Sequence, residues 1–190
     1  MLSPAGLMFA GPASERRQRG FTLVELVAVL LVGGLLAAVA APRFFQQDSF
    51  DVRSFADQNV SMLRYAQKLA IAQNRPVFVQ LNGSRIALCF NTACDAPNRV
   101  LPPAGGNSGR KATLAACAND TAWLCEAAPG NISYSVPADA AAFYFNALGR
   151  PFKAADAEPV SSFPASVSIG ISGGMTRNIV VEGETGYVHY

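Results

Sequence analysis

Apolar residues fill positions 21–41 almost without a break. The run FTLVELVAVLLVGGLLAAVAA carries one charge, Glu25, and ends at Pro42. As a helix it is about 32 Å long, against a hydrocarbon core of about 30 Å, so it predicts a single membrane span. Pro42 removes one helical hydrogen bond and predicts a kink or interruption. From Phe50 to about Ala72 the pattern becomes amphipathic. Val52, Phe55, Ala56, Val60, Leu63, Ala66, Leu69 and Ala70 recur at three- and four-residue steps, while Asp51, Arg53, Asp57, Arg64, Gln67 and Lys68 fill the other side. That stripe predicts a helix that needs a sheet to cover it, with Asp48 or Ser49 as its cap. After Pro76 the period drops to two. Residues 77–81 and 85–90 flank Asn82-Gly83 and predict a β-hairpin. Residues 91–130, rich in Ala, Asn, Gly and Pro, predict a long loop. Short strands are expected at 132–136, 142–146, 166–172, 178–182 and 186–189, with turns at Gly149-Arg150-Pro151 and Gly173-Gly174. The whole predicts an α+β fold, a long helix packed on antiparallel β-sheet.

Charge adds direction to the apolar run. Residues 1–20, with Glu15, Arg16, Arg17 and Arg19, hold the whole net charge of +2. The rest of the chain is neutral and has no general electrostatic reason to bind nucleic acid. With three arginines before the run and Arg43 after it, the positive-inside rule puts residues 1–20 in the cytoplasm and the remainder across the membrane. A secretory signal peptide is the rival, with apolar region 26–36 and cleavage after Ala38-Val39-Ala40. Glu25 distinguishes the two: an acid in an apolar run costs about 2.5–3.5 kcal/mol at mid-membrane and less near the end, and a disposable signal gains nothing from it. Thr22-x-x-Glu25 also fits a capping box beside Phe21. Gly33-Gly34 costs about 1 kcal/mol per glycine against alanine, and the pairs Gly33/Ala37, Gly34/Ala38 and Ala37/Ala41 allow close helix approach.

Arg19-Gly20-Phe21-Thr22-Leu23-Val24-Glu25-Leu26 resembles the class III leader and processing motif of type IV prepilins and type II secretion pseudopilins. The resemblance implies cleavage between Gly20 and Phe21 by a membrane-embedded prepilin peptidase, N-methylation of Phe21, and a buried Glu25 that pairs with the terminal amine of a neighbouring subunit. The organisation it implies is a cytoplasmic leader (1–20), a membrane helix (21–42) and a periplasmic pilin-like domain (43–190), single-pass in the inner membrane, with an extracellular pilus as a further destination the family allows. Met8 offers a second start with a shorter leader. The stretch 63–70, the hairpin after it, Phe145-x-x-x-Gly149, and Ile179-Val180-Val181 with Thr185-Gly186-Tyr187-Val188 resemble the GspH/FimT group of minor pilins and pseudopilins. Pro42-Arg43-Phe44-Phe45 and the Arg64–Lys68 stretch are most similar to minor pilins of mannose-sensitive haemagglutinin (MSHA) pili. The implied role is a structural subunit in pilus assembly or priming, with other pilin subunits as partners. A minor pseudopilin of a type II secretion system carries the same motifs.

In an oxidising periplasm the four cysteines pair. Three connectivities exist. The short loops favour Cys89–Cys94 and Cys117–Cys125, at roughly 2–3 kcal/mol each, which would staple the 91–130 loop. Zinc is the rival, but the spacings x4 and x7 do not match its usual ligand pattern. No catalytic set emerges. His189 is the single histidine and reads as a surface residue, Glu182 and Glu184 as solvated acids, and no glycine-rich phosphate loop is present. No cofactor, metal or small-molecule substrate is expected. Some FimT-like proteins bind DNA through arginines at the carboxy terminus. Here no Arg or Lys follows Arg177, which argues against a nucleic-acid partner. A further reading makes 91–130 an adhesive surface with an exposed Trp123 as its anchor.

Overall fold

The computed structural model describes residues 21–82 and 84–190, with side chains except those of residues 41–47 and Asp139. The leader with Gly20 and its arginines, Met8, and Gly83 of the hairpin turn lie outside the described residues. The chain divides into two compact units, one running through Ala41 and one from Pro42.

Helix α1 (Leu23–Gln73) runs through Pro42 without the expected interruption. One missing donor is tolerated because the turns on either side keep theirs. Asp48 and Ser49 therefore lie inside the helix and cap nothing. Asp48 instead accepts a hydrogen bond from the Asn131 side chain. In the first unit the apolar stretch Leu23–Ala40 is long enough to cross a membrane, and none of it is buried.

In the second unit α1 buries the expected stripe, Val52, Phe55, Ala56, Val60, Leu63, Ala66 and Ala70. The stripe also contains Asn59, fully buried, whose amide donates to the Phe55 carbonyl at 2.7 Å and accepts from the Tyr134 hydroxyl at 3.0 Å. Burial pushes the Tyr134 phenol far up. The helix ends with Asn74 at φ +49, the left-handed position that stops helices, just before Pro76.

Two antiparallel sheets complete the unit. The first has the order β3 (Cys125–Ala127), β2 (Arg85–Cys89), β1 (Val77–Leu81), β5 (Ala142–Phe145), β6 (Pro151–Lys153). The second has the order β4 (Ser133–Ser135), β7 (Ser166–Gly173), β8 (Met175–Glu182), β9 (Val188–His189). The hairpin pairs Leu81 with Ile86, and the Asn82 Oδ1 accepts from the Ser84 and Arg85 amides. Alternation places Val77, Val79, Ile86, Leu88, Phe143 and Phe145 in the main core with α1, and Ile169, Ile171, Ile179 and Val181 join them from the second sheet.

The expected 91–130 loop needs correction. It holds a short α2 (Lys111–Ala116), a 3-10 turn at Ala96–Asn98, and β3. These elements are too short for periodicity to reveal. Pro151, expected in a turn, opens β6 at the edge of its sheet, where the missing N–H breaks no ladder.

Gly186 combines a close approach that depends on a missing side chain with a left-handed backbone. It has φ +67, and a Cβ there would collide with the Gly149 carbonyl oxygen. Gly130, with open space around it and no positive φ, is its control. In urea unfolding of the detergent-solubilised chain, Gly186→Ala is expected to lose about 2 kcal/mol or more, and Gly130→Ala to stay within about 0.5 kcal/mol.

Candidate assembly site

The first unit presents one acid at the start of an apolar helix. Thr22 caps α1: its Oγ1 accepts from the Glu25 amide at 3.2 Å, and its carbonyl accepts from the Leu26 amide at 3.1 Å. Half of the capping box is therefore formed. The Glu25 carboxylate has no hydrogen-bond or ionic partner among the described residues, so the reciprocal half is absent. Phe21 is 75% exposed, and Leu23, Val24, Leu30, Leu31, Leu35 and Leu36 are all exposed. Gly33 and Gly34 have nothing within 4 Å of the position a Cβ would take. A shallow groove follows one helical face past Glu25, Val29, Val32, Gly33 and Leu36, so the acid and a strip open to close approach share that face. Apolar surface of this size and kind requires lipid or other apolar helices to cover it.

In the second unit, three separated motifs meet at one junction. The Gln67 side-chain amide donates to the Gly149 carbonyl at 3.0 Å and the Thr185 carbonyl at 2.8 Å. One turn earlier, Arg64 donates to the Val188 carbonyl from Nε at 3.1 Å and from Nη2 at 2.8 Å. Gly149, at φ +80, lies against Ile71, and Gly186 lies against Phe145 and Gly149. This joins α1 to the β5–β6 turn of the first sheet and to the β8–β9 turn of the second. Tyr190 closes the same flank: its hydroxyl donates to Asp57, and Arg177 stacks over its ring at 4.6 Å. Burial, with the bond to Asp57 second, pushes the Tyr190 phenol up to about 12.

Trp123 is not the exposed anchor that an adhesive loop would need. It is 2% exposed, and its indole N–H donates to the Leu88 carbonyl at 3.0 Å. An aromatic side chain in an irregular segment carries no periodic signal of which way it faces. Cys89 is bonded to Cys94 with Cα atoms 5.3 Å apart, and Cys117 to Cys125 with Cα atoms 6.0 Å apart. Glu126 is a buried acid that sequence reasoning missed. It accepts from the Ser108 hydroxyl at 2.7 Å and the Thr113 hydroxyl at 3.0 Å, with Arg110 at 3.5 Å. A lone carboxylate among alanines gives no sequence signal of these partners.

His189 lies at the surface, with Nε2 2.9 Å from Glu182 and its ring stacked on Tyr187 at 5.2 Å. Glu184 pairs with Arg150 at 3.0 Å. No group of three potential metal-ligating side chains occurs among the described residues.

Comparison with known proteins bears on the stem. The model of the prokaryotic N-terminal methylation motif matches residues 16–41. The chain therefore carries the N-terminal methylation motif of type IV pilins. It is 44% identical over 52 residues to the type IV major pilin protein PilA of Myxococcus xanthus, covering 27% of this chain and 24% of that protein. It is 33% identical over 61 residues to the type IV narrow pilus major component PilA5 of Thermus thermophilus, covering 32% and 53%. The chain thus spans about a quarter and about half of the lengths of these relatives. Two crystal forms of the Pseudomonas aeruginosa type IV minor pilin FimU are similar in structure. One has TM-score 0.43 and 16% identity, covering 72% of this chain and 90% of that one. The other has TM-score 0.46 and 15% identity, covering 76% and 90%.

Two measurements check the second unit. The hydrogen bond that the ring Nε2–H donates to the Glu182 carboxylate raises the His189 pKa above its ordinary value of about 6.5, with burial and Arg64 opposing. The protonated ring is the favoured form, so its stabilisation is present below about pH 6.5 and lost as pH rises through the folded pKa. A proton NMR titration of this single histidine is expected to read above 6.5 and to return towards it in Glu182→Gln. Gln67→Leu leaves two carbonyls without their donor and is expected to cost about 1–3 kcal/mol in urea unfolding.

Proposed function

We propose that this chain is a minor pilin-like subunit, made as a membrane-anchored prepilin and used as a structural part of a filament. The observation that carries the reading is the stem: an unburied apolar helix within a matched methylation motif, with an acid in its first turn that has no partner among the described residues. Cleavage between Gly20 and Phe21 by the prepilin peptidase would leave a free, N-methylated amine on Phe21. A positive charge at a helix amino end is unfavourable, and in an apolar bundle it needs a counter-charge. Glu25 of an adjacent subunit supplies one, and pairing it with that amine would set the stagger between stems. The leader arginines support a cytoplasmic leader and a periplasmic second unit, in the oxidising compartment where the two cystines form.

The role is structural rather than catalytic, and its partners are other pilin subunits. The finer reading is an MSHA-type pilus, supported by Pro42-Arg43-Phe44-Phe45 and the Arg64–Lys68 stretch. A GspH-like pseudopilin is the alternative. Pilus minor-pilin genes beside this one would favour the first, and secretion-channel genes the second.

Mass spectrometry of the protein recovered from membranes tests the reading directly. N-methyl-Phe21 as first residue, lost without the peptidase, is the expected result. A start at Ala41 would mean an exported soluble protein and would end the filament mechanism. Glu25→Leu is expected to insert into membranes normally, while its recovery in sheared filaments falls about tenfold or more, as for loss of one desolvated charge pair.

A further inference from the structure

The connection from Phe90 to Leu124 lies across the outer face of the first sheet and builds a small core of its own there. Along β2, Ile86 and Leu88 face the main core while Ala87 and Cys89 face outward. Cys94, Cys117, Trp123 and Cys125 pack against that outward face, with Phe78 at the margin. Each cystine fastens the connection to a strand it borders: Cys94 to Cys89 in β2, and Cys117 to Cys125 in β3. The main core contains no cysteine among the described residues. The connection reaches that core through Val100 and Leu124, with Phe90 packed against it part-buried. Its backbone ties there are the Val100 amide to the Leu88 carbonyl at 3.1 Å and the Leu88 amide to the Leu124 carbonyl at 3.0 Å, while the Leu124 amide to the Val100 carbonyl at 2.7 Å joins the two ends of the connection to each other.

Closure is opposed as well as favoured. Arg85 and Arg99 lie 5.1 and 4.4 Å from the Trp123 ring, and both leave a buried Nε without a partner. Burial, and then the neighbouring Arg99, hold the Arg85 guanidinium below its usual pKa. Most of the connection is irregular backbone, whose ordering is costly. Against that cost stand one tryptophan, a few small side chains and a set of polar ties: Ser108, Thr113 and Arg110 to Glu126 of β3, the Arg99–Asp120 pair at 2.8 Å, and Arg85 donating to the Ala116 carbonyl.

We propose that the connection from Phe90 to Leu124 is a redox-gated flap, closed over the outer face of the sheet only when both cystines have formed. The helix and two sheets fold without it. In each closing step two thiols lose two protons and two electrons to a disulfide oxidant, one S–S bond forms in the protein, and the oxidant's own S–S bond is reduced to two thiols. Trp123, the single tryptophan, is the plug and reports the flap's state.

The test uses the full chain in detergent micelles, as oxidised wild type and as the C89A/C94A, C117A/C125A and four-alanine variants. Alanine keeps the sites apolar. Loop closure sets the expectation that each lost cystine raises the rate of tryptic cleavage at Arg99, Arg110 and Lys111 by roughly thirtyfold. In the four-alanine variant Trp123 emission is expected to shift to the red and become quenchable by iodide, while the cooperative far-UV unfolding transition survives. A Trp123 that stays shielded in that variant would overturn the proposal, because the flap then closes without cystines. Loss of the cooperative transition would overturn it too, because the flap is then part of the main fold. Wild type refolded from the reduced state keeps the two failures distinct: it is expected to bury Trp123 with oxidised glutathione and not in its absence.

Discussion

The second unit depends on one side chain reaching across a gap that no backbone ladder spans. The Gln67 amide bonds two carbonyls, Gly149 and Thr185, that belong to turns of different sheets. Neither sheet hydrogen-bonds to the other through its strands, so their relation rests on the shared core, on this bridge and on the more exposed Arg150–Glu184 pair between the same two turns. The bridge works only because the two turns approach closely. Gly186 stands against the Gly149 carbonyl, and Gly149 against Ile71, where any Cβ would intrude. The Arg64 guanidinium repeats the device one turn earlier on the Val188 carbonyl. Polar groups on a mainly apolar helix thus satisfy carbonyls that the turns leave open.

The first sheet carries different loads on its two faces. Its inner face meets α1 with branched and aromatic side chains. Its outer face is covered in part by the cystine-bound connection and in part by an aromatic row, where Phe78, Tyr144 and Phe152 lie 5.0 and 5.3 Å apart along neighbouring strands. Cross-strand aromatic contacts of this kind add about 0.5–1.5 kcal/mol beyond burial. A body covered on both faces needs no partner for its own stability. The apolar stem does need one, either lipid or another apolar helix.

Much of this was legible in the chain because it is local. The membrane-length run, the change to a helical stripe at Phe50, the hairpin after Pro76 and the pairing of strands late in the chain all follow from periodicity, and the structure has an α+β fold of that kind. The leader motif needed only eight consecutive residues. The failures are equally instructive. The interruption allowed for at Pro42 did not materialise, because one absent hydrogen bond does not end a helix with intact turns on either side. Segment 91–130 was opaque, because a six-residue helix and a three-residue strand fall below the length at which a period can be seen. Trp123 was misread for the same reason: without a period, sequence does not say which side is inside.

Gln67, Asn59 and Glu126 mark the remaining boundary. Each is a polar residue whose partners lie elsewhere in the chain, Gln67 82 and 118 residues from its acceptors and Asn59 75 residues from Tyr134. The sequence by itself determined the stem, its single acid, the order of helix before strands and the motifs that later meet. Only the tertiary structure decided which turns close against the helix, which glycines are indispensable and which face of the first sheet the cystines cover. The physical reason is range: a hydrophobic period is written in neighbouring residues, whereas a hydrogen bond across the fold exists only once the core has brought its ends together.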